Sequence, residues 1–293
     1  MTRALAIVNP AAGGAWGAPA DLGSVLSRIR MASIAIDVVE TADRPNDAES
    51  LARRAMRDGY DSVIVAGGDG TVGQAARALY GSEVVLGILP YGTYMNIARS
   101  LGVPREPAAA ADVIAHRHIR RIDVGVVAGR AFFEAAGIGL DADVVTAGHA
   151  MRRGAGGLLR SALASLVRRT SRSFLIEIDG RRYVRRALQA TVSNGPYYGW
   201  GFAVAPDAVL DDGLLDLVLF SDDRASVLRE FARAALGRPF VARGRRFRGR
   251  VIRVRSPHPT TVHADGVPVG TLPQIFTVRP QALRVYAPFS PAR

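Results

Sequence analysis

The sequence predicts a chain of two parts in the α/β + β class: a three-layer α/β domain over residues 1–122, then an antiparallel, sandwich-like β domain over residues 123–279. Three observations predict it. Through the first 90 residues, short apolar runs alternate with helical patterns at the spacing of βαβ units. From about Ile122 the pattern becomes short alternating segments divided by Gly and Asp turns. The charge balance changes at the same place, with 12 Arg against 12 acids in residues 1–120 and 26 Arg against 14 acids in residues 121–293.

In order, the first part reads Leu5–Val8 strand, Asp21–Ile29 helix, Ile34–Val39 strand, Pro45–Asp58 helix, Ser62–Val65 strand, Val72–Leu79 helix and Val84–Ile88 strand. Parallel sheets of this kind gather ligands at the C-terminal ends of their strands. Asn9-Pro10-Ala11-Ala12-Gly13-Gly14, Thr41, Gly67–Thr71 and Pro90-Tyr91-Gly92-Thr93 stand there. The second part reads as strands at Val124–Val127, Ala131–Ala135, Leu175–Ile178, Leu188–Ser193, Leu215–Phe220, Val251–Arg255 and Thr261–Ala264, forming a sandwich or barrel. Helical spacing interrupts it near Leu158–Arg169 and Ala225–Leu236. Residues 280–293 are available to complete the first domain.

The most specific local signal is an apolar run, Ser62–Ala66, that enters Gly67-Gly68-Asp69-Gly70-Thr71 and then a helical segment. Glycines let main-chain N–H groups approach an anion closely, and the N-terminus of a helix adds partial positive charge. This marks the first domain as a Rossmann-like nucleotide domain. Asp69 cannot be there to attract phosphate. A carboxylate among such amides suits a divalent cation, or a hydroxyl that must lose a proton.

Composition narrows the class further. The 293 residues are 48% apolar and contain no Cys, which excludes disulfides, thiolate metal sites and Cys nucleophiles. No apolar run approaches the roughly 18 residues of a membrane-spanning helix, so a cytoplasmic protein is expected. The net charge of +12 is carried by Arg alone, since the chain has no Lys. Its concentration in the second part suggests an anionic surface as partner.

Further blocks stand in order along the chain. They are Val8-Asn9-Pro10 with Gly13, the Gly67–Thr71 turn, Pro90 with Gly92-Thr93, Ala98–Pro104, Ile122–Gly125, Gly137–Asp141, Ser193–Gly195, Ala205-Pro206, Leu210–Asp216 and Asp265-Gly266. With these the chain resembles the diacylglycerol kinase catalytic family, which includes bacterial lipid kinases and sphingosine and ceramide kinases. The glycine turn alone is shared with NAD kinases and phosphofructokinases; the later blocks distinguish the lipid kinases.

The resemblance implies transfer of the γ-phosphate of ATP, with Mg²⁺, to a lipid hydroxyl of diacylglycerol-like or sphingoid and ceramide-like type. It places Asn9, Pro10, Gly13, Thr41, Gly67, Gly68, Asp69, Gly70, Thr71 and Thr93 around the nucleotide, and Asp69 and Asp265 as the catalytic acids. It also implies a structural Mg²⁺ held by Asp212 and the carbonyls of Val209 and Leu214, linked through water towards Asp123. A hairpin turn without metal is the alternative reading of Leu210–Asp216.

The chain departs from the family pattern in three places. Val267 stands where the Asp-Gly-Glu motif has Glu, Gly73-Gln74 where Asn-Glu is usual, and Tyr94-Met95-Asn96-Ile97 where Gly-Asn-Asp-Phe is usual. Since phosphoryl transfer depends on positioning and electrostatics, an active variant is expected. A catalytically silent lipid- or nucleotide-binding protein and a soluble NAD or sugar-phosphate kinase are the competing readings.

Residues 151–173 set an apolar stripe (Leu158, Leu159, Ala162, Leu163, Leu166 and Val167) among Arg152, Arg153, Arg160, Arg168, Arg169 and Arg172. That is the pattern of an interfacial helix on an anionic membrane, and a domain-packing helix with a basic face is the alternative. A second cluster, Arg243–Arg250, could supplement it. No nucleic-acid motif accompanies either cluster, so nucleic acid is not expected as a partner. The lipid substrate and the inner membrane face are the expected partners, and a homodimer is left open.

Overall fold

The computed structural model describes residues 2–12, 21–42, 46–139, 171–199, 201–220 and 244–289. The chain divides into two units, residues 1–124 with 280–293, and residues 125–279.

In chain order the elements of the first unit are β1 (Thr2–Val8), α1 (Leu22–Met31), β2 (Ile34–Glu40), α2 (Asp47–Arg57), β3 (Ser62–Gly67), α3 (Asp69–Leu79), β4 (Val85–Pro90), α4 (Asn96–Ser100) and α5 (Pro107–Ala115). The sheet order is β2-β1-β3-β4, all parallel. Every residue of β3 and β4 is buried, as a strand covered on both faces requires. The helices form two packed pairs, α1 with α5 and α2 with α3. Their inward faces follow helical spacing: Val25, Leu26 and Ile29 in α1, and Ala48, Ala52 and Ala55 in α2. Helix α5 begins with Pro107 after Glu106, whose carboxylate accepts from the Ala108 and Ala109 amides at 2.9 and 2.6 Å.

Strand β5 (Ile119–Val127) leads into the second unit, which holds β6 (Arg130–Phe132), β7 (Ala135–Ile138), β8 (Arg172–Ile178), β9 (Arg181–Ala187), β10 (Gln189–Ser193), β11 (Tyr197–Tyr198), β12 (Phe202–Ala203), β13 (Leu215–Phe220), β14 (Gly244–Gly249), β15 (Val251–Arg255), β16 (Thr261–Ala264), β17 (Val267–Thr271) and residues 274–279 of β18 (Gln274–Tyr286). One antiparallel layer runs β18-β15-β8-β9, and the other runs β14-β13-β10-β7-β16-β17. Their facing side chains make one core. Phe174, Ile176, Ile178, Ile252, Val254 and Phe276 from the first layer meet Ala136, Ile138, Val192, Leu217 and Val262 from the second. The unit is therefore a sandwich, not a barrel.

The last residues of β18 return to the first unit, where Val285 pairs with Leu86 in parallel. One expected strand is broken: Ala131–Ala135 splits into β6 and β7 at Phe133 and Glu134, whose amides turn to the Asp265 carboxylate. The helices expected near Leu158–Arg169 and Ala225–Leu236 lie outside the described residues, and so does Gly13.

Candidate active site

The end of β3 and the start of α3 carry the glycine turn. Gly68 is the extended N-cap of α3, with no side chain capping the helix. The first amides of the helix have no intrahelical partner, so the turn presents donors to an anion. Asn9, just past β1, fastens this turn from one side. Its amide donates to Ala66 O at 2.9 Å, its Nδ2 donates to Thr71 Oγ1 at 3.0 Å, and its Oδ1 accepts from the Ala11 amide at 3.0 Å. Pro10 follows Asn9 in the same loop. Thr41 follows β2 directly, donating its amide to Val8 O at 2.8 Å.

The loop after β4 fastens the turn from the other side. The Tyr91 amide donates to Gly67 O at 3.2 Å. A Cβ on Gly92 would lie only 2.5 Å from Gly68 Cα, so the two loops meet main chain to main chain. Arg105 gathers the same loop, donating to Gly92 O and Tyr94 O at 3.4 Å each and to Thr93 O. Tyr91 donates its hydroxyl to Asp21 Oδ1 at 3.0 Å, and burial, then Asp21, push that hydroxyl well above its ordinary pKa.

Asp69 lies between these loops. Its Oδ1 accepts from the Ile97 amide at 3.3 Å, and the Met95 and Asn96 amides also bond to it. Burial raises its pKa above the ordinary 3.8, opposed by those amides and then by Arg105. Met95 takes the left-handed conformation, φ +50°, that turns the three amides towards the carboxylate. Asp69 thus fixes the Tyr94–Ile97 segment, one of the places where the sequence departs from the family pattern. The uncapped helix end and the Gly68–Gly92 contact, with the Asp69 carboxylate held by main-chain amides, fit the phosphates of a nucleotide.

In the second unit Asp265 has an equally defined environment. Its Oδ2 accepts from the Phe133 amide at 2.9 Å, and its Oδ1 from the Glu134 and Ala135 amides at 3.0 and 3.2 Å. Asp265 sits at φ +46°, in the β16–β17 turn, and Val267 is 41% exposed. Beside it is an acid that sequence reading did not single out. Glu134 is buried, accepts from the Gly199 amide at 3.2 Å through Oε2, and takes the Asn194 and Gly195 amides on its carbonyl at 2.9 and 3.2 Å. Nothing local marks it, because its partners lie about sixty residues away.

Asp212 Oδ1 accepts from the Leu214 amide at 3.0 Å, and Oδ2 is paired with Arg248. Arg248 Nε also reaches Asp216 Oδ1 at 3.2 Å. Burial raises the Asp216 pKa, and Arg248 opposes that rise. The positive charge beside Asp212, on the loop that also carries Val209 and Leu214, is therefore supplied by the guanidinium of Arg248 on β14. A metal at Asp212 would have to displace it, so this donor set does not fit Mg²⁺ as it stands. Asp123, in the first unit, is fully buried and accepts from the Gln281 amide at 2.8 Å. Among the described residues no group of three or more His, Asp or Glu side chains could hold a metal ion.

A parallel α/β unit with a glycine phosphate turn, joined to a β sandwich, defines a kinase of the class that pairs these two domains. Residues 3–127 match the diacylglycerol kinase catalytic domain, and residues 134–287 match the YegS C-terminal NAD kinase beta sandwich-like domain. A diacylglycerol kinase of Mycobacterium tuberculosis is 31% identical over 305 residues, covering 98% of this chain and 95% of that one. A Pseudomonas fluorescens protein named "Probable lipid kinase YegS-like" is 30% identical over 251 residues, covering 83% and 82%. A crystal structure of a diacylglycerol kinase from Bacillus anthracis superposes with a TM-score of 0.74 at 23% identity, covering 98% and 97%, which speaks for the fold. The chain belongs to the diacylglycerol kinase family and is a lipid kinase.

Proposed function

We propose that this lipid kinase transfers the γ-phosphate of ATP, with Mg²⁺, to a hydroxyl of a lipid at an anionic membrane surface. The observation that carries the nucleotide reading is the locked pair of loops around the N-terminus of α3. Gly67–Thr71 and Gly92–Ile97 are held by Gly68–Gly92 contact, by Asn9 and by the amides on Asp69. Asn9, Thr41, Gly67–Thr71 and Thr93 surround the phosphates, and Mg²⁺ bound with ATP neutralises charge on the transferring group. Asp69 and Asp265 each hold three main-chain amides, so their first contribution is to fix loops at the positions transfer requires.

Membrane docking has support in the outer face of the β18-β15-β8-β9 layer. Strand alternation turns Leu175, Val184 and Ile275 outward, each more than two-fifths exposed. The same face carries exposed Arg182, Arg186, Arg253, Arg255 and Arg279, with Glu177 as the acid among them. Apolar side chains ringed by Arg match an anionic bilayer, at about 1 kcal/mol per cation near the surface. A second copy of the chain stacked there would oppose Arg to Arg. None of the described helices is long and apolar enough to cross a membrane.

Labelled ATP incubated with diacylglycerol in mixed micelles tests the proposal. Labelled phospholipid is expected, lost on chelation of Mg²⁺ and enhanced by anionic lipid. No labelled product with any hydroxylated lipid, or a product indifferent to chelation, overturns it.

A further inference from the structure

The strands whose C-terminal ends carry the phosphate loops also begin together, at the opposite edge of the first unit. Thr2 opens β1, Tyr60 and Asp61 precede β3, and Val84 precedes β4. These residues surround a cleft of about 430 Å³, completed by Arg117 and Ile119 where β5 begins and by Arg284 and Tyr286 of β18. Every lining residue belongs to the first unit. The volume is that of a small-molecule site. Strands of six or seven residues, at about 3.3 Å each, place it about 20 Å from the glycine turn.

The wall is part apolar and part charged. Tyr60, Val84, Val85, Ile119 and Tyr286 supply the apolar part, and Ile119 is 37% exposed. Most of the charges are matched. Glu83 pairs with Arg284 and lies 3.7 Å from Arg121. Asp61 accepts from the Arg3 amide at 2.7 Å, and the Arg3 guanidinium lies 3.8 Å from Asp37. Arg117 differs. It donates to Ala32 O, at the end of α1, and among the described residues it forms no ion pair. Among the described residues of the cleft and their ion-pair partners, the guanidiniums of Arg3, Arg117, Arg121 and Arg284 stand against the carboxylates of Asp37, Asp61 and Glu83. One positive charge is left over, and it sits on an exposed side chain.

We propose that this cleft binds a small carboxylate with an apolar or aromatic body, its charge held by Arg117 and its body packed against Ile119 and the tyrosines. One unmatched guanidinium calls for one negative charge, and its planar array of N–H donors fits a carboxylate. The apolar wall lets the body leave water. A cation would be repelled by Arg117, and a dianion such as a phosphate monoester would bring a second negative charge without a partner. The cleft joins the returning strand β18 to the starts of β1, β3 and β4, so a ligand bound there fastens the folded unit by mass action.

The test uses the full chain with phenylpropanoate as probe, acetate as its charge alone and phenylpropanol as its body alone. Calorimetry should show one saturable site for phenylpropanoate, about tenfold or more tighter than for either fragment, and the melting temperature should rise with its concentration. Arg117→Asn suits the left-handed φ of +55°, and Ile119→Glu puts a negative charge at an exposed strand start; each should weaken binding about tenfold. If Arg117→Asn destabilises the fold by losing the Ala32 contact, Ile119→Glu decides the matter. A non-hydrolysable ATP analogue at saturation should leave the affinity unchanged, since it occupies the far ends of the same strands. The proposal is overturned by no binding of phenylpropanoate, by equal affinity for acetate, by tighter binding of phenyl phosphate, by displacement with the ATP analogue, or by wild-type affinity in Ile119→Glu.

Discussion

Gly92→Ala puts the nucleotide site under direct strain. The new Cβ would meet Met95 Sδ at 2.7 Å and Gly68 Cα at 2.5 Å. The sulfur ends a flexible side chain and can swing aside. The Gly68 main chain cannot, because Gly67–Thr71 is tied to Asn9, Tyr91 and the first turn of α3. Restoring ordinary contact requires the loops to part by about 1 Å. Overpacking of this kind costs about 1–3 kcal/mol, and a displacement of about 1 Å among positioning groups lowers turnover roughly 100-fold. Thermal melting and lipid-kinase kinetics on the same preparation should show both losses. Gly70→Ala is the comparison, since a Cβ there meets nothing within 4 Å. It should fold at least as well as wild type, as Ala in a helix gains up to about 1 kcal/mol over Gly. Its KM for ATP should rise, because the methyl occupies space kept for phosphate. A Gly92→Ala protein with wild-type melting temperature and kcat/KM would refute the contact between the loops and the placement of the site.

Asp265→Ala orphans three amides and should cost about 3 kcal/mol or more in thermal or urea unfolding, whereas Asp265→Asn keeps an acceptor and tolerates φ +46°, so it should cost less than half as much. If Asp265 instead acts as a proton acceptor, Asp265→Asn abolishes transfer at unchanged stability. For Asp69 the folded pKa is raised, so its contribution to stability is fully present below the ordinary 3.8 and is lost as pH rises through the folded value. The melting temperature of Asp69→Asn relative to wild type should therefore climb with pH across that window, and a constant difference would show that burial does not govern this carboxylate. Because Arg248 supplies the charge at Asp212, a chelator should leave the wild-type melting temperature unchanged. Arg248→Gln should melt lower and be partly restored by Mg²⁺; a chelator-sensitive wild type would mean that a metal, not Arg248, neutralises Asp212.

The α/β unit was legible because its strands are short unbroken apolar runs and its helices carry regular Ala and Leu faces. β3 and α3 lie within a few residues of where the glycine turn puts them. Strand β9, Arg-Arg-Tyr-Val-Arg-Arg-Ala, was not legible, since Arg on both faces hides the two-residue alternation. The cluster around Arg245–Arg250 reads as free positive charge in sequence. Folded, it is β14 and its exit, and Arg246 and Arg248 meet Asp207, Asp212 and Asp216. The sign of a charge is written in the chain, but its partner is chosen by register. The candidate site divides the same way. Asn9, Gly67–Thr71 and Thr93 are candidates from motif order, whereas the amides held by Asp69 and Asp265 come from segments about 30 and 130 residues away. Arg105 and Glu134 could be found only once those segments were paired.

The return of β18 to the first unit sets an order of assembly. Leu283, Val285, Tyr286 and Ala287 are buried there, the Gly81 amide donates to Ala282 O and the Ala287 amide to His118 O. The nucleotide-binding unit is thus closed by a segment synthesised only after the whole of residues 125–279. During translation its sheet would wait with the β4 edge unpaired, open to mispairing, while the sandwich is made. A fragment ending at residue 124 would keep that edge permanently, and the motifs of the nucleotide site would not suffice to make it fold alone.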